Sequence, residues 1–226
     1  MKDIQMPELA GQPVVSRAEW QAARDALLAE EKEITRAMDR LAAKRRELPW
    51  VAVSQDYRFV TDQGEKGLID LFAGRRQLIV YHHMLRPDDP SPCPGCSMLA
   101  DELPRMEHLN ARDTTLVLVS AAPLAQINAF KQRMGWGFDW VETLGTFNVD
   151  FSGHDYGPGY SVFIQNGGKV FYSYGCDDRG TEAVVGCFGT LDITPMGRQE
   201  DWQEAPEWVP QTPPYVWWRL HDQYGT

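Results

Sequence analysis

The chain has 226 residues, 43% of them hydrophobic and 24% charged, with a formal net charge of −10. That length is enough to bury a full core in one domain with appendages. The acidic balance argues against nonspecific nucleic-acid binding, which needs clustered Lys and Arg, and no apolar run approaches the roughly 20 residues that span a bilayer.

The start of the sequence, residues 1–13, lacks the basic-then-apolar order of a signal peptide, so the expected location is a reducing cytoplasm. There, four cysteines read as free, metal-bound or catalytic rather than as structural staples. The first long element runs from Ser16 to about Leu48, opened by a Ser16/Glu19 capping box and stopped by Pro49. Trp20, Leu27, Ile34, Leu41 and Leu48 recur every seven residues, but the companion heptad positions are mixed. Half a coiled-coil seam suits a helix laid on its own domain or on a partner subunit, and a homodimer is expected. Trp50 to Val60 reads as extended, Thr61 to Gly64 as a polar turn, and Leu68 to Phe72 as a short helical turn ended by Gly74.

Gln77 to Met84 and Thr114 to Ser120 have the apolar character of strands covered on both faces. Between them, Ser97 to Glu107 reads as a helix, giving a β–α–β unit. Pro123 to Met134 is an amphipathic helix with Leu124, Ile127 and Phe130 on one side. A hairpin follows, with strands around Val162 and Phe171 and a turn at Asn166-Gly167-Gly168. Thr181 to Leu191 is a weaker helical segment. From Thr194 the chain is rich in Pro and carries Trp202, Trp208, Trp217 and Trp218, which predicts an extended strap, with a helical turn or two over residues 215–224. The expected division is an N-terminal helical extension (1–49), one α/β domain (50–193) and a C-terminal strap packed on it (194–226).

Cys93-Pro94-Gly95-Cys96 stands between the first buried strand and the following helix. A cysteine at a helix start meets unpaired backbone N–H groups and the positive end of the helix dipole, which favour thiolate over thiol. Two intervening residues let the second thiol reach back to the first, so this is the layout of a dithiol/disulfide redox site. Cys93, nearest the helix start, is the expected attacking thiolate, and Cys96 the resolving thiol. The same spacing makes half of many zinc sites, and His82 and His83 could complete a Cys2His2 set. Adjacent strand residues point to opposite faces, however, so both histidines are not expected to reach one ion. One of them facing the thiols would stabilise the thiolate.

The order strand, CxxC, helix, strand, helix, antiparallel hairpin matches a thioredoxin-like three-layer α/β fold. The segments LPWV (48–51), LIVYHHM (78–84), CPGCS (93–97), HLNARDTT (108–115), APLAQINAFKQRMGW (122–136) and SVFIQNGGKVFYSY (161–174) go further. With LDITPMGR (191–198) and RLHDQY (219–224), they resemble a poorly characterised bacterial family grouped with thioredoxin-like proteins and described as predicted dithiol–disulfide oxidoreductases. The resemblance implies a thioredoxin-like domain whose dithiol exchanges with a protein or small-molecule disulfide or thiol, without a cofactor. Two features depart from an ordinary thioredoxin: Pro92 replaces the Trp before the pair, and the dipeptide is Pro-Gly rather than Gly-Pro. Thioredoxin-like sites also set a cis-proline against the dithiol, and Pro158 is the candidate here. A peroxiredoxin signature would need Thr or Ser at position 90 and Pro at 86, where the chain has Pro90 and Arg86.

Other chemistry-bearing residues have plainer readings. Cys176 and Cys187 read as small buried residues. His108, Arg112 and Asp113 read as turn and ion-pair residues. Trp136, Phe138, Trp140 and the tail tryptophans either pack the core or line a groove beside the dithiol. Gly157, Gly159, Gly167 and Gly168 form no phosphate loop. The sequence thus points to thiol–disulfide exchange, set against a binding or scaffold protein with a non-catalytic dithiol and a small metal-binding protein.

Overall fold

The computed structural model describes residues 12–154 and 156–225. Helix α1 (Arg17–Arg46) starts at Ser16, whose hydroxyl accepts the Glu19 N–H while the Glu19 carboxylate accepts the Ser16 N–H. Both halves of the capping box therefore form, and Lys44, Arg45 and Arg46 sit at the negative end of the helix dipole. The helix buries none of its residues, and Trp20, Leu27, Ile34 and Leu41 remain 46% to 62% exposed.

The predicted extended stretch after Pro49 divides into β1 (Val51–Val53) and β2 (Arg58–Thr61), which lie far apart in the sheet. The polar run Ser54-Gln55-Asp56 carries the chain across, and Tyr57 is fixed by donating its hydroxyl to Asp150 at 2.8 Å. A short strand, β3 (Gly64–Gly67), pairs back on β2 and leads into the 3-10 turn Leu68–Phe72. Strand β4 (Gln77–His82) is followed by α2 (Pro94–Asp101), α3 (Met106–Asn110), β5 (Thr114–Ser120) and α4 (Leu124–Met134). The single helix expected over residues 97–107 is thus two. Pro94, at the first helical position where no N–H is needed, moves the start forward; Pro104 blocks continuation past Asp101.

Strand β6 (Trp140–Thr143) and helix α5 (Phe147–Ser152) were not anticipated. The hairpin forms from β7 (Gly159–Asn166) and β8 (Lys169–Asp177), with Gly167 and Gly168 both at positive φ in its two-residue turn. The weaker helical segment becomes a 3-10 turn, Asp178–Val184, and helix α6 (Gly186–Leu191). The tail, expected to be an extended strap, instead folds through a series of hydrogen-bonded turns and a 3-10 turn at His221–Gln223. This is the one helical turn within residues 215–224, and Tyr215, left-handed at φ 68°, stays outside it.

The eight strands form one sheet in the order β1-β8-β7-β4-β5-β6-β2-β3. At its centre β4 and β5 are parallel, β7 is antiparallel to β4, and β8 is antiparallel to β7. With α2 connecting β4 to β5, this is the thioredoxin-like arrangement. Strand alternation separates two cores. Leu78, Val80, Val117 and Val119 pack with Phe72, Phe147 and Phe163 on one face. Tyr81, Leu116 and Leu118 pack on the other with Cys96 and Leu99 of α2, Ile127 of α4 and Phe188 of α6.

Candidate active site

After β4 the chain makes an excursion over residues 85–92 and returns, the Cys93 N–H donating to the Met84 carbonyl at 3.1 Å. This bond holds Cys93 at the C-terminal end of a central strand and makes it the N-cap of α2. Ser97 secures the turn from the other side: its N–H and its hydroxyl both donate to the Cys93 carbonyl, each at 2.9 Å. Cys96 lies one turn in, only 2% exposed, whereas Cys93 is half-buried; both are free thiols.

The environments drive the two thiols apart. A hydrogen bond from the Cys96 thiol is the main influence lowering the Cys93 pKa, to about 6. Burial opposes it, and the backbone N–H groups of Cys96 and Gly95 reinforce it. Burial raises Cys96 well above the ordinary thiol range, and the adjoining Cys93 raises it further. The Tyr81 hydroxyl and the Met84 backbone act the other way, each favouring the Cys96 thiolate. Their surroundings thus favour ionisation of Cys93 and protonation of Cys96.

Cys93 opens onto a cavity of about 380 Å³. Its walls are largely apolar, including Met84, Met98, Leu99, Val185 and Phe188, and Pro158 also borders it. The C-terminal strap closes one side. Trp218 lies directly on Gly95, where an added Cβ would overlap the indole Cζ3 and Cε3 atoms. Tyr215 packs on Trp218 at 4.4 Å between ring centroids, and Phe188 stacks on it at 6.0 Å. The strap is anchored by Glu200, only 1% exposed. Its carboxylate accepts the Trp202 and Trp217 indole N–H groups at 2.7 and 2.9 Å and the Tyr215 N–H at 2.9 Å. Burial pushes the Glu200 pKa up, but these donors outweigh it and the net shift is downward.

A family model described as "Bacterial protein of unknown function (DUF899)" matches residues 9–224. The chain belongs to this family. The family description assigns no activity, so the redox role implied by the sequence resemblance is not carried by membership. No curated protein matches the chain. Among solved structures, a cysteine-to-serine mutant of PrxQ from Xylella fastidiosa is similar at 11% identity and TM-score 0.40, covering 62% of this chain and 95% of that one. BsSco, a member of the Sco family of cytochrome c oxidase assembly proteins in which a disulfide switch has been identified, is similar at 14% identity and TM-score 0.37. That likeness covers 57% of this chain and 85% of BsSco.

The remaining sequence candidates separate clearly in space. His82 faces the core opposite the dithiol, its Nδ1 2.9 Å from Asn148 Oδ1 and its Nε2 2.9 Å from Ser161 Oγ. Burial lowers its pKa to about 4. His83 lies on the dithiol side of the sheet but packs against Trp140, 4.4 Å between ring centroids, and burial lowers its pKa to about 3. Neither histidine borders the Cys93 cavity, so the expectation that one supports the thiolate is corrected: strand alternation and aromatic packing take both elsewhere. Pro158 immediately precedes β7 and borders the cavity, but its peptide bond is trans. Cys176 and Cys187 remain unbridged, and burial raises both thiols. Among the described residues, no three His, Cys, Asp or Glu side chains gather as a metal-ligand set, and no helix is long and apolar enough to cross a membrane.

Tyr81, Phe188, Val185 and Tyr215 were missed as site residues. Only Tyr81 left a signal, as the strand residue two before His83 on the face that α2 covers. The aromatic group divides: Trp218 lines the cavity, while Trp136 and Trp140 pack around His83.

Ultraviolet titration of the reduced protein should show one thiolate forming with a midpoint near pH 6. In Cys96→Ala, which removes the main stabilising donor, that midpoint should rise by at least one unit. A first thiolate midpoint near 9 in the wild type would contradict the site's electrostatics.

Proposed function

We propose that the protein is a thiol–disulfide oxidoreductase in which Cys93 attacks and Cys96 resolves. The observation that carries this reading is the asymmetry of the pair, a half-buried helix-capping thiol with a pKa near 6 beside a fully buried thiol raised above its usual range. Lowering a thiol from 9 to 6 raises its thiolate fraction at pH 7 from about 1% to about 90%. The lower basicity also makes each thiolate a poorer nucleophile by about twentyfold, so the net gain in attack is only about fourfold. The larger benefit is to the return path: once a reductant has joined the accessible Cys93 as a mixed disulfide, the low-pKa Cys93 sulfur is the better leaving group when a second reductant thiol attacks the reductant's sulfur.

The exchange balances without a cofactor. The Cys93 thiolate attacks one sulfur of the substrate disulfide, forming a mixed disulfide and expelling the other sulfur as a thiolate that takes a proton from water. Cys93 then carries no charge, and its contribution to raising Cys96 disappears. Cys96 loses its proton, assisted by the Tyr81 hydroxyl, and attacks the Cys93 sulfur. The second substrate sulfur leaves as a thiolate and takes up the proton Cys96 released, the substrate is reduced by two electrons to two thiols, and the protein is left as its internal disulfide. A thiol or dithiol reductant resets it.

We further propose that α1 pairs antiparallel with α1 of a second copy of this chain. Its exposed stripe needs a cover, and its charge is polarised along its length. Residues 17–33 carry five carboxylates and three cations, whereas residues 35–46 carry five cations and one carboxylate. Antiparallel pairing centred on Ile34 sets the acidic half against the basic half and brings Leu27 onto Leu41. Sedimentation of the wild type should give a dimer, and Leu27→Glu/Ile34→Glu a folded monomer. A monomeric wild type would refute the pairing.

For the exchange itself, Cys96→Ser should accumulate a mixed disulfide on Cys93, seen as a mass adduct in tryptic peptides after incubation with disulfide substrates. The wild type should pass through to the internal disulfide without accumulating it. Absence of both adduct and internal disulfide would leave the dithiol a non-catalytic part of a binding scaffold.

A further inference from the structure

The geometry points to small, uncharged, apolar disulfides as the substrate class, with Trp218 as the residue that excludes polypeptides. This rests on the thiol–disulfide reading and adds to it what the site admits. Three observations carry it.

The first is the cover over the dithiol loop. The Trp218 ring lies on Gly95, between the two cysteines, at a separation that leaves no room even for a methyl group. The chain's own strap therefore occupies the face of the Cys-Pro-Gly-Cys turn across which an extended polypeptide would have to lie. Glu200 fixes this cover by accepting the Tyr215 backbone N–H and the Trp217 indole N–H, both from the segment that leads into Trp218.

The second is what remains open. Cys93 is reached through the cavity of about 380 Å³, within the range of small-molecule pockets and too small for a folded protein's disulfide with its flanking chain. Met84, Met98, Leu99, Val185 and Phe188 offer any entering group apolar contact and polarisable sulfur.

The third is the charge at the mouth. Among the described residues, Asp178, Arg179 and Glu182 are the charged ones that border the cavity. Arg179 is already paired with Glu182 at 3.0 Å, and Glu182 also holds Arg198 at 3.0 Å. Arg198 in turn is paired with Asp192 at 2.7 Å and lies over the Phe188 ring. Among the described residues that border the cavity, the one cation, Arg179, is thus already paired, and Asp178 adds a negative charge of its own. An anionic disulfide would have to break the Arg179–Glu182 pair or sit beside Asp178, so the rim favours neutral ligands.

Single-turnover reaction of the reduced, full-length protein tests this directly, with three disulfides: dipropyl disulfide, the anionic 3,3′-dithiodipropionate, and insulin as a polypeptide. Each rate is divided by that of dithiothreitol with the same disulfide, which removes intrinsic reactivity. The expected order places dipropyl disulfide at least tenfold above the other two, with rates that saturate in its concentration. Trp218→Ala should raise the normalised insulin rate at least fivefold, while the dipropyl rate loses its saturation. The wild-type ranking decides the matter even if that variant fails to fold. Equal or faster normalised reaction with insulin or with dithiodipropionate would overturn the substrate class while leaving thiol–disulfide exchange standing. No reaction with any of the three would overturn both.

Discussion

One hydrogen bond, from the Cys93 N–H to the Met84 carbonyl, sets the register on which the dithiol depends. It closes the loop that leaves β4 and returns the chain to the strand's end, so that Cys93 caps α2 rather than entering it. Had the helix started at Ser97, Cys93 would lie in a loop with no ordered N–H groups to receive its charge. With the start at Pro94, Gly95 and Cys96 donate to it, and Cys96 is carried into the core one turn later. The chemical asymmetry of two identical side chains thus follows from where the backbone places each of them, one at the cap beside the other's thiol and one in the core.

Burial of Cys96 has a cost that the fold offsets locally. A thiolate formed there would be expensive in an apolar core, and burial accordingly raises its pKa. The Tyr81 hydroxyl and the Met84 backbone partly compensate. Tyr81 also packs on Tyr160, 4.8 Å between ring centroids, which fixes its ring beneath α2. The same residue Met84 therefore serves both sulfurs, by orienting the capping loop for one and by easing ionisation of the other. Over this arrangement the strap adds a second constraint, since Trp218 requires that residue 95 have no side chain.

Much of this was legible in the sequence because it rests on local patterns. The apolar runs within 77–84 and 114–120, the Gly167-Gly168 turn and the Ser16 capping box each announce one element with a physical reason. The CxxC position after a buried strand announced the dithiol. What was not legible depends on contacts distant in the chain. Splitting of residues 50–60 into strands at opposite parts of the sheet follows from which neighbours have free edges, not from their composition. Residues 140–152 carry no clear period, and β6 and α5 form there because Trp140 and Phe147 each fill one of the two cores. His82 and His83 carry metal- and proton-active side chains, yet one is held by Asn148 and Ser161 and the other by indole rings. The seating of Trp218 on Gly95 joins residues more than a hundred positions apart, and no periodicity encodes it.

The central claim is that the site divides its two cysteines into an attacking thiolate and a protected partner. Brief iodoacetamide treatment of the reduced wild type at about pH 6.5, below the ordinary thiol range, followed by peptide mass spectrometry, tests it most directly. The account predicts label on Cys93 well before Cys96, Cys176 or Cys187. Equal labelling of Cys93 and Cys96, or faster labelling of Cys176 or Cys187, would contradict it.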